Sequence, residues 1–143
     1  MTAASYFSLD LNLVLEFVEG PSSVDDILTL KSIPARTGYV NSQTRVLAFV
    51  ESDHPIDSTQ LSCFGARLMS ELPEYAGTRT AVVTRYVGPT TRVTKLAYDV
   101  ANHQSIRAFT TLPMALNFLS LSRKELLEAF PDAQRLLLSQ CAQ

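Results

Sequence analysis

At 143 residues the chain has the length of one domain, and its 46% hydrophobic and 18% charged residues supply a core and exclude a disordered chain. The formal charge of −2, with twelve Lys and Arg scattered rather than gathered in a stripe, argues against a nucleic-acid partner. Cys63 and Cys141 stand far apart, with no His or Cys at ligand spacing, so neither a disulfide framework nor a metal site is expected and a reducing, cytoplasmic setting fits.

Met1 to Phe7 has no basic or long apolar targeting signature, and no run of about 18 apolar residues follows anywhere, so an integral membrane protein is not expected. From Phe7 to Glu19 apolar and polar residues alternate, with Leu9, Leu11, Leu13, Leu15 and Phe17 on one face, which predicts a strand or a hairpin tightened around Asp10 to Asn12. Gly20-Pro21 ends it. Ser22 and Ser23, followed by Asp25 and Asp26, mark a helix start that carries Val24, Ile27 and Leu28 inward and stops before Pro34.

Arg45 to Val50 is an apolar run suited to a strand buried on both faces. Asp57 and Gln60 form a start signal for a second helix, with Leu61, Phe64, Leu68 and Leu72 at helical spacing up to Pro73. Thr80 to Thr84 reads as another strand. After Gly88-Pro89, a third helix beginning near Thr90 is marked by Val93, Leu96, Ala97, Val100 and Ala101. Ser105 to Thr110 is a further strand, Pro113 opens a helix with Ala115, Leu116 and Leu119, and Ser122 with Glu125 is a capping box for one more. Pro131 divides that helix from a last amphipathic turn, Ala133 to Leu138.

Alternating β and α units predict a single α/β domain over residues 1–143, with an open, mixed, largely parallel sheet and packed helices. Residues 122–143 form a C-terminal helical extension. Its Leu126, Leu127, Phe130, Leu136, Leu137 and Leu138 suit either a homodimer contact or a lid over the sheet.

The element order, together with Thr80-Ala-Val-Val-Thr84, the Val93 to Ala101 helix, Ile106 to Phe109 and Pro113 to Leu119, resembles the STAS-like, SpoIIAA-like superfamily of anti-sigma-factor antagonist domains. Antagonist members carry an Asp-Ser-Ser/Thr-Gly phosphoacceptor sequence between a buried strand and the next helix. Asp57-Ser58-Thr59 stands at that place, with Gln60 where the family has glycine. The resemblance implies Ser58 and Thr59 as phosphoacceptor candidates and the Glu51 to Thr59 loop, with Asp53, His54 and Asp57, as a recognition surface. The same residues also make an ordinary helix N-cap.

Asp53, His54 and Cys63 are the residue types of a thiol hydrolase, although a Cys one turn inside a helix more commonly serves as a small apolar side chain. His103 is a helix-end residue with the capacity to titrate, and Gly88-Pro89-Thr90-Thr91 lacks the further glycines of a phosphate-binding loop. Tyr75, Tyr86, Tyr98, Phe109 and Phe118 are candidates for lining an apolar cleft, or for core packing. The expected function is a regulatory or ligand-binding module without enzymatic activity or cofactor, acting by docking to a protein. Binding of a small apolar or lipid-like molecule is the alternative, and thiol hydrolysis the enzymatic one.

Overall fold

The computed structural model describes residues 2–20, 22–51, 58–101 and 103–141, with the side chains of all but Thr2 and residues 58–62. Strands β1 (Thr2–Ser8), β2 (Leu13–Glu19), β3 (Arg45–Glu51), β4 (Arg79–Val83) and β5 (Ser105–Phe109) form one sheet in sequence order. β1 is antiparallel to β2, and β2 through β5 are parallel, as the β/α alternation predicts. The helices are α1 (Val24–Arg36), α2 (Ser58–Glu71), α3 (Val87–Asp99), α4 (Leu112–Leu119), α5 (Arg123–Ala129) and α6 (Gln134–Cys141). No helix among the described residues is long and apolar enough to cross a membrane.

The hairpin turns through Leu9 to Asn12, where Asn12 adopts φ 49° and its N–H donates to Leu9 O at 3.2 Å. Leu9 and Leu11 therefore belong to the turn and not to the apolar face of a strand starting at Phe7. Leu9 is exposed, and the first strand lies earlier, at Thr2–Ser8.

Two helix boundaries also differ from expectation. α1 runs through Pro34, because a proline in the last turn forfeits only one backbone bond. The helix ends two residues later: Gly38 N–H donates to Ala35 O and Tyr39 N–H to Pro34 O, with Gly38 at φ 78°. α3 begins at Val87 rather than near Thr90, since Pro89 falls in the first turn, where no N–H is required. Both capping boxes form: Ser23 Oγ accepts from Asp26 N–H, and Ser122 Oγ accepts from Glu125 N–H, each at 3.1 Å.

Successive parallel strands added on one side by crossovers of one hand place their helices on one face. Val14, Val46, Ala48, Val82 and Ile106 accordingly pack against Val24 and Leu28 of α1, Phe64 and Leu68 of α2, and Leu96 of α3. The alternate residues, Leu13, Leu15, Phe17, Leu47, Phe49 and Ala81, meet α4, α5 and α6 through Leu116, Leu119, Leu126, Phe130 and Leu137. The C-terminal extension is thus the lid over the second face. Two arginines at the starts of β3 and β4 fix it there: Arg45 Nη1 donates to Leu119 O at 2.8 Å and Arg79 Nη1 to Phe118 O at 3.0 Å, satisfying carbonyls at the end of α4.

Candidate functional site

The two faces are not filled alike. Under α4 to α6 the sheet presents Leu13, Leu15, Phe17, Leu47 and Phe49, with Ala81 on β4, whereas under α1 to α3 it presents Ala48 at the centre of β3, beside Glu16 on β2 and Val82 on β4. Small side chains there leave a cavity of about 140 Å³. Ile27 and Leu30 of α1, Phe64 and Leu68 of α2, and Val93 and Leu96 of α3 form its roof. Partly exposed Ser22, Val50 and Arg92 lie at its outer end, by the carboxyl ends of the parallel strands, where open α/β sheets bind ligands.

Inside the outer end, where Ser22 and Arg92 lie, four more polar side chains line this otherwise apolar space: Glu16, Lys31, Thr80 and Gln104. Lys31 Nζ lies 3.2 and 3.3 Å from the two Glu16 carboxylate oxygens, and the pair is buried, with side-chain exposures of 11% and 4%. A charged pair out of water requires close geometry and further partners. The ammonium also stands 5.1 Å from the centre of the Tyr75 ring. Tyr75 O–H donates to Lys31 O at 2.6 Å, and burial, with the charges of Glu16 and Glu74, pushes the phenol upward so that it remains a neutral donor.

The inner end of the cavity is less well satisfied. Thr78 Oγ1 donates to Tyr75 O at 2.6 Å and lies 3.1 Å from the Gln104 amide. Among the described residues Thr80 Oγ1 and the other polar atom of that amide have no hydrogen-bond partner, although the two residues are only 4% and 6% exposed. Buried polar atoms are paired in the great majority of cases, so two orphans lining one apolar cavity mark the place where a guest completes the structure.

No protein-family model matches the chain, and comparison with curated proteins and with solved structures finds no match.

The side chains singled out in the sequence lie elsewhere. Ser58 and Thr59 open α2, with their side chains among those not described, and Asp53, His54 and Asp57 lie outside the described residues. Cys63 is exposed on α2, and its would-be partners His54 and Asp53 are in that same segment. Among the described residues no group of His, Cys, Asp and Glu is placed to hold a metal ion. His103 occupies the turn between α3 and β5, its Nε2 buried with no partner among the described residues. Gly88-Pro89-Thr90-Thr91 forms the first turns of α3, with Thr90 Oγ1 and Thr91 Oγ1 donating to their own helix at Tyr86 O and Val87 O.

The five aromatic residues do not share a cleft. Tyr75 is in the core beneath α1, Phe109 and Phe118 pack together 5.4 Å apart, and Tyr98 is exposed on α3. Alternation explains this: Phe109 points to the opposite face of the sheet from Ile106. The apolar site is aliphatic instead. Its signals in the sequence are a lone acid inside Leu13 to Val18 and a lysine spaced three and four residues from Leu28 and Ile27 on the apolar stripe of α1.

Proposed function

We propose that this chain is a STAS-like regulatory module that binds a small, largely apolar molecule between its sheet and α1 to α3 without transforming it. The observation that carries this reading is an aliphatic cavity of about 140 Å³ whose inner end holds two unpartnered polar side chains, Thr80 and Gln104. Pockets of this kind, mostly apolar with a few convergent polar groups, are the usual form of small-molecule sites. An engineered apolar cavity of similar volume takes benzene, which sets the size of guest.

Thermal unfolding with a panel of one-ring and short-chain compounds tests it, since a ligand at a hundred times its Kd adds about 2.7 kcal/mol to stability. Ala48→Leu, which fills the cavity from β3, abolishes the protection while the chain stays folded. A panel that protects neither protein overturns the reading.

In the same proposal the output is protein docking through Glu51 to Thr59, with Asp53, His54 and Asp57 as contacts and Ser58 and Thr59 as phosphoacceptors. Continuity supports it: Val50 lines the cavity, and the next residue, Glu51, is held by Arg85 at 3.5 Å and by Gln140 at 3.2 Å. Phosphopeptide mapping, and partner binding by Ser58→Ala with Thr59→Ala, test that part. Homodimer formation would rest on Leu138 and Met114, the large apolar side chains exposed on α6 and α4, and sedimentation velocity decides it.

A further inference from the structure

The chemistry of the inner end narrows the ligand class, given the cavity-binding reading above. Thr78 has one hydroxyl proton, and it is committed to Tyr75 O at 2.6 Å. It has none left for a carbonyl oxygen of Gln104 at 3.1 Å. The oxygen and nitrogen of a terminal amide occupy nearly equivalent positions, so the hydrogen-bond inventory decides which faces which neighbour. With the NH2 donating to the free lone pair on Thr78 Oγ1, the Gln104 side chain is satisfied on one side and presents its carbonyl oxygen to the cavity. The Thr80 hydroxyl, which lines the same cavity and can donate or accept, has no partner of its own among the described residues.

Ser22 and Arg92 lie at the outer end, and the polar neighbours of the inner end disfavour ions there. Glu16 and Lys31 neutralise one another across both carboxylate oxygens. A ligand carboxylate would meet the Gln104 carbonyl and the negative charge of Glu16, and a ligand ammonium would have to be desolvated opposite a carboxylate already engaged by Lys31. A neutral O–H or N–H group suits the end: it donates to Gln104 Oε1, and a hydroxyl also accepts from Thr80 Oγ1.

We infer that the cavity selects a neutral hydrogen-bond donor, a hydroxyl or an N–H, carried on an apolar body of about one ring, with Gln104 and Thr80 reading that head group.

Phenol, toluene, benzoate and benzylammonium, titrated into the full chain and followed by methyl NMR shifts of the lining Val, Leu and Ile residues, separate the possibilities. Phenol is expected to bind roughly two- to tenfold more tightly than toluene, the span of a typical net hydrogen bond. Both ions are expected to bind more weakly than toluene. Thr80→Val, nearly isosteric and relieving an unpartnered hydroxyl, keeps the fold and reduces the preference for phenol over toluene, and Gln104→Met removes that preference. Equal binding of phenol and toluene overturns the head-group inference and leaves the cavity reading intact. Benzoate binding tightest also overturns it, because Gln104 then presents its N–H. If none of the four binds, both readings fall.

Discussion

Replacing Glu16 by Leu strands the Lys31 ammonium in the core, and Lys31→Met strands the Glu16 carboxylate. The pair is buried at 3.2 and 3.3 Å, and Nζ also stands 5.1 Å from the centre of the Tyr75 ring, a contact worth about 2 kcal/mol when desolvated. Removing one member of such a pair costs about 3–5 kcal/mol, a large share of the roughly 5–15 kcal/mol that holds a domain together. In urea, with a slope of about 1–3 kcal/mol/M, each single variant is expected to lower the unfolding midpoint by roughly 1–5 M at unchanged slope. The double variant Glu16→Leu with Lys31→Met removes both charges and keeps the volume, so it is expected near the parent or above it. Equilibrium urea denaturation of all four proteins closes the cycle. Single variants costing under about 1 kcal/mol would show that water reaches the pair. A double variant as unstable as the two singles added would place the cost in packing instead.

Two glycines give opposite expectations by the same denaturation assay. A Cβ on Gly65, inside α2, meets nothing closer than Leu96 Cδ1 at 3.4 Å, so Gly65→Ala is expected to stabilise by up to about 1 kcal/mol. Gly77 has φ 81° and its Cβ would come within 3.1 Å of Ser42 Cβ, so Gly77→Ala is expected to destabilise by more than about 1 kcal/mol. Phe130→Ala, at 3% exposure under the second face, is expected to cost about 3–5 kcal/mol, and a cost near zero would remove the C-terminal extension from the core. Hydrogen bonds from the Ser23 and Ser122 backbone N–H groups hold Asp26 and Glu125 below ordinary carboxylate values, and Arg67 does so for Glu71. Depressed carboxylates contribute stability that is present above their unfolded values, 3.8 for Asp and 4.5 for Glu, and lost as pH falls through the folded ones. Unfolding midpoints are therefore expected to be flat from neutral pH to about pH 5 and to fall below it, less steeply in Glu125→Gln, which removes one of the depressed carboxylates.

The order of elements is legible in the sequence because the runs Arg45 to Val50 and Thr80 to Thr84 and the helix starts at Ser23 and Ser122 follow local rules that the tertiary structure leaves in place. Where the chain departs from them, a backbone event is responsible. The hairpin around Asp10 to Asn12 is among the readings the alternation offers, but Asn12 in the left-handed region puts Leu9 and Leu11 in its turn, and Pro34 is harmless because the helix ends two residues on. The candidate site is not legible. Residues 51 to 59 stand out for their polarity and cap chemistry, while Glu16 and Lys31, 15 positions apart, acquire meaning only when β2 and α1 are packed together. Thr80 and Gln104 are equally silent, since their significance lies in the partners they lack.

The two faces of one sheet have been put to different uses. Beneath α4 to α6, Leu13, Leu15, Phe17, Leu47 and Phe49 meet large side chains, and this face supplies dense apolar burial with no ionic pair among its core side chains. Beneath α1 to α3, the central positions hold Ala48, Glu16 and Thr80, which forfeit packing and leave polar atoms to be satisfied. A sequence selected for stability alone would have filled those three positions with the β-branched and aliphatic residues that surround them. Because strand residues alternate between faces, neighbouring positions serve the two purposes independently: Leu15 and Phe17 secure the closed side while Glu16, between them, shapes the hollow one. Local departure from good packing beside a strongly packed opposite face is the pattern expected of a scaffold that holds a binding site open.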